Sequence, residues 1–121
     1  MTAVLRDPGE DQVDSQGAIR WTRAAVPVAH LSGELDMANA VDVFAALRLG
    51  FESTELVVDL SEVTFIDSSG LVQLLALSRE VAVRVVAPHE HVSRRVLELT
   101  GLTRVLPTFA TVDAALVPTR W

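Results

Sequence analysis

The chain has 121 residues, half of them hydrophobic but only 5% aromatic, enough for one domain with a single core of Val, Leu, Ile and Ala. It has no cysteine, which excludes a disulfide scaffold, a thiolate zinc site and a cysteine nucleophile. Its formal net charge of −6 argues against a general nucleic-acid binder, whose surface is normally basic. No apolar run approaches the roughly 20 residues that span a bilayer, and the acidic start lacks a signal-peptide pattern, so a cytoplasmic protein with no direct membrane insertion is expected.

Residues 1–17 carry four acids (Asp7, Glu10, Asp11, Asp14) against one base, Arg6, and have little to bury. They are expected to form a mobile acidic N-terminal tail, with Val4 and Leu5 touching a domain that spans residues 18–121. From Ala18 the pattern changes. Ile19, Trp21 and Arg23 alternate with their neighbours, and after a short turn Val26 to Leu31 forms a second run. Together these predict a two-stranded hairpin, with Pro27 near a strand start, where its missing N–H does little harm. Gly33-Glu34-Leu35-Asp36 ends the second strand. A helix follows with Val41, Phe44, Ala45 and Leu49 on one face and Gly50 as its stop.

Leu56 to Leu60 is a short, nearly continuous apolar strand, as suits a buried central position. Ser69 to Arg79 reads as a helix that is apolar almost all round, more than the single stripe a surface helix needs. That excess fits deep packing or a contact surface. Val81 to Ala87 is a further strand interrupted by Arg84. Pro88 leads into a helix with Val92, Val96 and Leu99 on one face, closed by Gly101. Thr103 to Leu106 is expected as a last short strand, and Thr111 as the N-cap of a final helix ending near Leu116. Strands alternating with helices indicate an α/β domain.

Chemistry concentrates at Asp67-Ser68-Ser69-Gly70, where a strand hands over to a helix. Backbone N–H groups and the positive end of the helix dipole favour negative charge at such a start. Ser68 is therefore either a cap or a residue at which a phosphate would be tolerated. Asp67 could equally be the cap, and Ser69 is a secondary candidate for modification. His89 and His91 form a His-x-His pair with no third ligand evident, so no metal site is expected. Arg94 and Arg95 diverge around their helix and read as a solvated face. A Gly-rich phosphate cradle is absent, so no nucleotide site is expected. A serine hydrolase using Ser68 would need a Gly-x-Ser-x-Gly elbow, which the sequence lacks.

Gly33-Glu34-Leu35-Asp36, Asp67-Ser68-Ser69-Gly70-Leu71 and Leu99-Thr100-Gly101-Leu102, in this order and on these elements, resemble the STAS family and within it the bacterial anti-sigma factor antagonists. The similarity runs from about Ile19 to Leu116. It implies a single STAS-like domain, a small mixed β-sheet with helices packed mainly on one side, and neither catalytic centre nor cofactor. It further implies a phosphorylation-switched module that sequesters an anti-sigma factor, itself a serine kinase, while Ser68 is unphosphorylated, with a separate serine phosphatase to reset it. Asp36 and Asp67 would line the acceptor site, and Gly70, Leu71, Gln73 and Leu74 would dock the partner. The alternative within the same fold is an unphosphorylated docking subunit of an ABC-type membrane transport complex. Two departures are visible: only ten residues separate Gly70 from Val81, so the helix is about a turn shorter than is usual in the family and Glu80 must turn the chain without glycine, and the acidic tail, to which no function is assigned, lies outside the similarity.

Overall fold

The computed structural model describes residues 12–13 and 18–118. Six strands form one mixed sheet in sequence order: β1 (Gln12–Val13), β2 (Ile19–Thr22), β3 (Val28–Leu35), β4 (Glu55–Ile66), β5 (Ala82–Val86) and β6 (Thr108–Phe109). β1, β2 and β3 pair antiparallel, and β3 to β6 pair parallel. Each parallel connection carries a helix: α1 (Ala40–Leu49), α2 (Ser68–Ser78) and α3 (Val92–Leu99), with α4 (Val112–Leu116) closing the chain. Three crossovers stepping the same way along the sheet bring α1, α2 and α3 to one core, so all three share one hand, and the right hand is the one such connections favour.

Alternation along the strands separates two cores. Ala29 and Leu31, Leu56, Val58 and Leu60, and Val83 and Val85 face the main one, where they meet Val43, Phe44 and Leu47 of α1, Leu74 and Leu77 of α2 and Leu97 of α3. Val28, Val57 and Val86 face the other way, against Ala115 of α4. Arg84, on this second face, donates to Glu55 Oε1 at 2.6 Å and to the Ala115 carbonyl at 3.0 Å, which explains the charge inside an apolar strand. Helices mainly on one side of a mixed sheet is therefore what the chain builds.

Several boundaries differ from expectation. β4 does not end at Leu60 but runs on to Ile66, because two bulges interrupt its alternation. His30 pairs with Asp59 but Ser32 with Glu62, and Gly33 pairs with Val63 but Glu34 with Phe65, so β4 gains one residue on β3 at each step. Leu60, Val63 and Ile66 consequently all reach the main core, although a spacing of three would alternate faces in a regular strand. Gly33, at φ 81°, supplies the left-handed backbone at the second bulge.

α1 buries Ala40, Val43, Phe44 and Leu47, an i, i+3, i+4, i+7 stripe, while Val41 and Leu49 are exposed. α3 buries Ser93 and Leu97, with Val96 only partly covered and Leu99 exposed. Thr103 lies in a 3-10 turn spanning Leu102–Arg104, entered through Gly101, and the last strand begins only after Pro107. Of the expected tail, Gln12–Val13 pairs with Trp21 and Arg20 as an edge strand, which needs backbone groups rather than apolar side chains. The rest of residues 1–17, with Val4 and Leu5, lies outside the described residues.

The turn after α2 is made without glycine, as the sequence requires. Arg79 and Glu80 N–H groups donate to Ala76 and Leu77 carbonyls, and no non-glycine residue among those described takes a positive φ. Arg48, in the last turn of α1, grips Glu80 through two parallel hydrogen bonds, Nε to Oε1 at 2.9 Å and Nη2 to Oε2 at 2.8 Å. The same contact holds the Glu80 carboxyl below its usual range.

At the same C-terminal end of α1, Gly50 sits against the Trp21 ring. A Cβ there would lie 2.7 Å from Trp21 Cε2 and closer still to Cζ2. Trp21 is 4% exposed, capped by the Arg23 guanidinium 4.7 Å from its ring centroid, and cannot retreat. Gly50→Ala is expected to lower unfolding free energy by about 1–3 kcal/mol, the usual cost of overpacking, measurable by urea titration.

Candidate functional site

The site is built where β3 and β4 end side by side. Leu35 pairs with Ile66, and the Asp67 N–H donates to the Leu35 carbonyl at 3.1 Å. Asp67 is the N-cap of α2: its Oδ1 accepts from the N–H groups of Ser69 at 2.8 Å and Gly70 at 3.4 Å. Its other oxygen, Oδ2, accepts from the Met37 N–H at 3.2 Å and ties the β3–α1 loop to the head of α2. Of the two capping possibilities, the aspartate is the one realised. Ser68 is then the first helical residue and exposed, and among the described residues no hydrogen bond partner holds its hydroxyl.

Asp36 lies in the adjoining loop, flanked by the two residues bonded to Asp67. Its Oδ1 accepts from the Ala38 N–H at 2.9 Å, and its own N–H donates to Asn39 Oδ1 at 2.9 Å. Asn39 Nδ2 donates to the Glu34 carbonyl at 2.7 Å, so this one amide holds both ends of the loop. Asp36, Asp67 and Ser68 therefore come together. Asn39 and Met37 were not singled out by the sequence, since their roles depend on contacts made across the loop. The N–H groups of Ser69 and Gly70 are already committed to Asp67, so added charge at Ser68 meets a neighbouring carboxylate as well as the helix dipole.

The expected docking residues divide. Leu74 is completely buried and belongs to the core, and Gly70 is buried against Ile66 and Leu35, so neither presents a surface. Helical spacing accounts for this: Gly70, Leu74 and Leu77 lie on the stripe that faces the sheet. Leu71 is half-buried against the core and Gln73 half-buried. Most of the apolar excess of α2 is thus packing. The exception is Val72, 60% exposed and one turn after Ser68, on the same outward face; Met37, 83% exposed, stands across the junction. The Val72 position was available from spacing alone.

Ser69 is half-buried, with its N–H bonded to Asp67. His91 caps α3, its Nδ1 accepting from the Ser93 N–H at 3.1 Å, and among the described residues no three His, Cys, Asp or Glu side chains are grouped to hold a metal. Arg94 is not simply solvated: its Nε donates to the Ala87 carbonyl at 2.8 Å. No helix among the described residues is long and apolar enough to cross a membrane.

Asp67→Ala removes the acceptor of three backbone N–H groups at once. A loss of about 1–2 kcal/mol is expected from the cap, read as a lower thermal midpoint. Changed amide resonances at Met37 as well as at Ser69 would accompany it.

Fold and site define a small single-sheet α/β domain that presents the head of one helix, and the loop stapled to it, as a surface. The chain belongs to the STAS domain family, whose model matches residues 22–115. It is 34% identical over 100 residues to the anti-sigma-F factor antagonist RsfB of Mycobacterium tuberculosis, covering 78% of this chain and 82% of that protein. Among solved structures it resembles an anti-sigma factor antagonist from Mycobacterium paratuberculosis, with a TM-score of 0.72 and 32% identity over 93% of this chain and 96% of that one. It shares its fold with the anti-sigma factor antagonist SpoIIAA in its unphosphorylated form, at a TM-score of 0.62 and 24% identity over 82% of this chain and 93% of that one.

Proposed function

We propose that this chain is an anti-sigma factor antagonist: a cytoplasmic binding module, not an enzyme, that sequesters an anti-sigma factor with serine-kinase activity while Ser68 is unphosphorylated. A serine phosphatase reverses the modification. The observation that carries the reading is the exposed Ser68 hydroxyl, unengaged among the described residues, at the head of an α2 that Asp67 caps and ties to the acidic Asp36 loop. The likeness to RsfB over most of both chains supports it.

The surroundings suit a switch. Unmodified, Ser68 is a small polar point between the exposed apolar side chains of Met37 and Val72, a surface a partner can cover. Phosphate adds about −1.5 to −2 charges there, beside two carboxylates. It need not unfold anything, because among the described residues no hydrogen bond partner holds the exposed Ser68 side chain. Two of the three histidines are engaged elsewhere, His30 with Thr22 and Asp59 and His91 with Ser93, so neither serves Ser68 as a base.

The test is incubation with candidate anti-sigma kinases and ATP, followed by site mapping by mass spectrometry. Phosphate is expected on Ser68, and a Ser68→Ala variant should accept none yet still bind. Phosphate mapping to Ser69 alone would move the switch by one residue. No modification by any cognate kinase would defeat the reading.

A further inference from the structure

On the sheet face turned away from α1, α2 and α3, three side chains form a hydrogen-bonded chain that the Ser68 switch does not use. Thr22 Oγ1 lies 2.8 Å from His30 Nε2, and His30 Nδ1 lies 2.7 Å from Asp59 Oδ2. Asp59 Oδ1 accepts from the Ser61 backbone N–H at 2.9 Å. His30 is 7% exposed and Asp59 4%. Ionisable groups so covered are costly unless their polar atoms are partnered, and here both carboxylate oxygens are. Burial pushes the Asp59 carboxyl up, but the hydrogen bonds from His30 and Ser61 outweigh it and leave it below the usual range. With Asp59 ionised, His30 Nδ1 donates to it, and Nε2 pairs with the Thr22 hydroxyl.

This chain sits at the first β4 bulge. Between the His30–Asp59 and Ser32–Glu62 pairs, β3 has only Leu31 while β4 has Leu60 and Ser61. A bulge leaves one residue's backbone outside the regular ladder, and the Ser61 N–H is satisfied instead by the Asp59 side chain. The bulge matters downstream. Together with the Gly33 bulge it turns Val63 and Ile66 into the core and brings Asp67 level with Leu35 and Met37, which fixes the start of α2. A slip of one residue would displace Asp67 by about 3.3 Å along the strand, enough to break both of those bonds.

We propose that Asp59 is a positioning residue for the Ser68 site: held by His30, which Thr22 steadies in turn, it locks the Leu60–Ser61 bulge and so helps set the register that delivers Asp67 and Ser68 to the end of β3. The inference rests on the reading of Ser68 as the phosphoacceptor for its functional consequence, but not for its structural one. Asparagine at position 59 keeps an oxygen for the Ser61 N–H and a polar contact for His30, whereas alanine keeps neither.

The experiment compares Asp59→Ala and Asp59→Asn in two readouts: amide resonances and hydrogen exchange from Ser61 to Gly70, and the rate of Ser68 phosphorylation by the cognate kinase. Asp59→Ala is expected to lose protection at Ser61, shift the Asp67–Gly70 amides and slow phosphorylation at least tenfold. Asp59→Asn should stay within about threefold of wild type. Because Asp59→Ala leaves His30 buried without its partner and can fail to fold, the double variant His30→Leu/Asp59→Leu is made alongside. Replacing both partners by apolar groups of similar size is nearly neutral for stability, yet still strips the Ser61 N–H of its acceptor, so the same losses are expected. Unchanged Asp67–Gly70 amides and a wild-type rate in a folded variant lacking the acceptor would overturn the proposal, as would Asp59→Asn being as impaired as the double variant. If wild type itself is not phosphorylated, the reading of Ser68 fails, while the amide measurements still decide the role of Asp59.

Discussion

A Ser68→Asp variant is expected to bind the anti-sigma partner about a hundredfold more weakly than wild type while keeping its melting temperature. The stability half follows from exposure: the Ser68 side chain has no partner among the described residues, and substitutions at such positions usually stay within about 0.5 kcal/mol. The binding half follows from charge. Two unit charges about 6 Å apart in an environment of effective dielectric 20 repel by roughly 3 kcal/mol, and about 2.7 kcal/mol is a hundredfold in affinity. Asp36 and Asp67 already make this corner acidic, so a partner that accommodates two carboxylates meets a third, newly desolvated in the interface. Phosphoserine, with up to twice the charge, should exceed the aspartate effect. Isothermal titration at two salt concentrations checks it, since partly exposed repulsion weakens as salt rises. An unchanged affinity would remove the switch and leave a docking-only role, such as that of a transport-complex subunit.

Gly70→Ala is the second large effect. A Cβ at Gly70 would lie 2.8 Å from Ile66 Cγ1, 3.0 Å from the Leu35 carbonyl oxygen and 3.1 Å from Leu35 Cβ. That oxygen accepts the Asp67 N–H and belongs to the β3 backbone, so it cannot swing aside like a flexible side chain. The head of α2 must lift instead, stretching the bonds from Asp67 to Leu35 and Met37. A stability loss of about 1–3 kcal/mol is expected, together with shifted Met37 and Ser69 amides and weakened partner binding. The test combines thermal denaturation, amide resonances and the same titration. Unaltered stability would mean that α2 does not seat on Leu35 as described. Gly70 thus belongs to the site through what it allows the helix to approach, not through contact with a partner.

Much of the candidate site was legible because it is local. The run from Val57 to Leu71 contains strand, acid, two serines, glycine and helix within a single span, and helix-start chemistry alone marks Asp67 and Ser68. The Thr111 cap was legible for the same reason: its hydroxyl accepts from the Ala114 N–H three residues on, at 3.1 Å. Helix faces were less so. α1 carries apolar residues on two adjoining stripes, and whether Val41 or Ala40 and Val43 turn inward depends on how the helix lies across β3 and α2. The true end of β4 was hidden because its apolar positions change from a period of two to steps of three at Leu60.

The sequence by itself determined the α/β class, the order of elements from β2 to α4 apart from the late placement of β6, and the cluster of Asp67, Ser68 and Ser69 at a helix head. These depend on periodicity, capping and turn chemistry acting within a few residues. Tertiary structure alone decided which α2 side chains are surface, where the β4 bulges fall, and which distant groups meet: Asp67 with Met37, His30 with Asp59, Arg48 with Glu80. Each of those pairs joins residues about thirty positions apart, and such pairs form only once neighbouring strands fix their register and the helices settle on the sheet. Ser68 was readable as a candidate from its neighbours in sequence; the surface in which it sits is made by its neighbours in space.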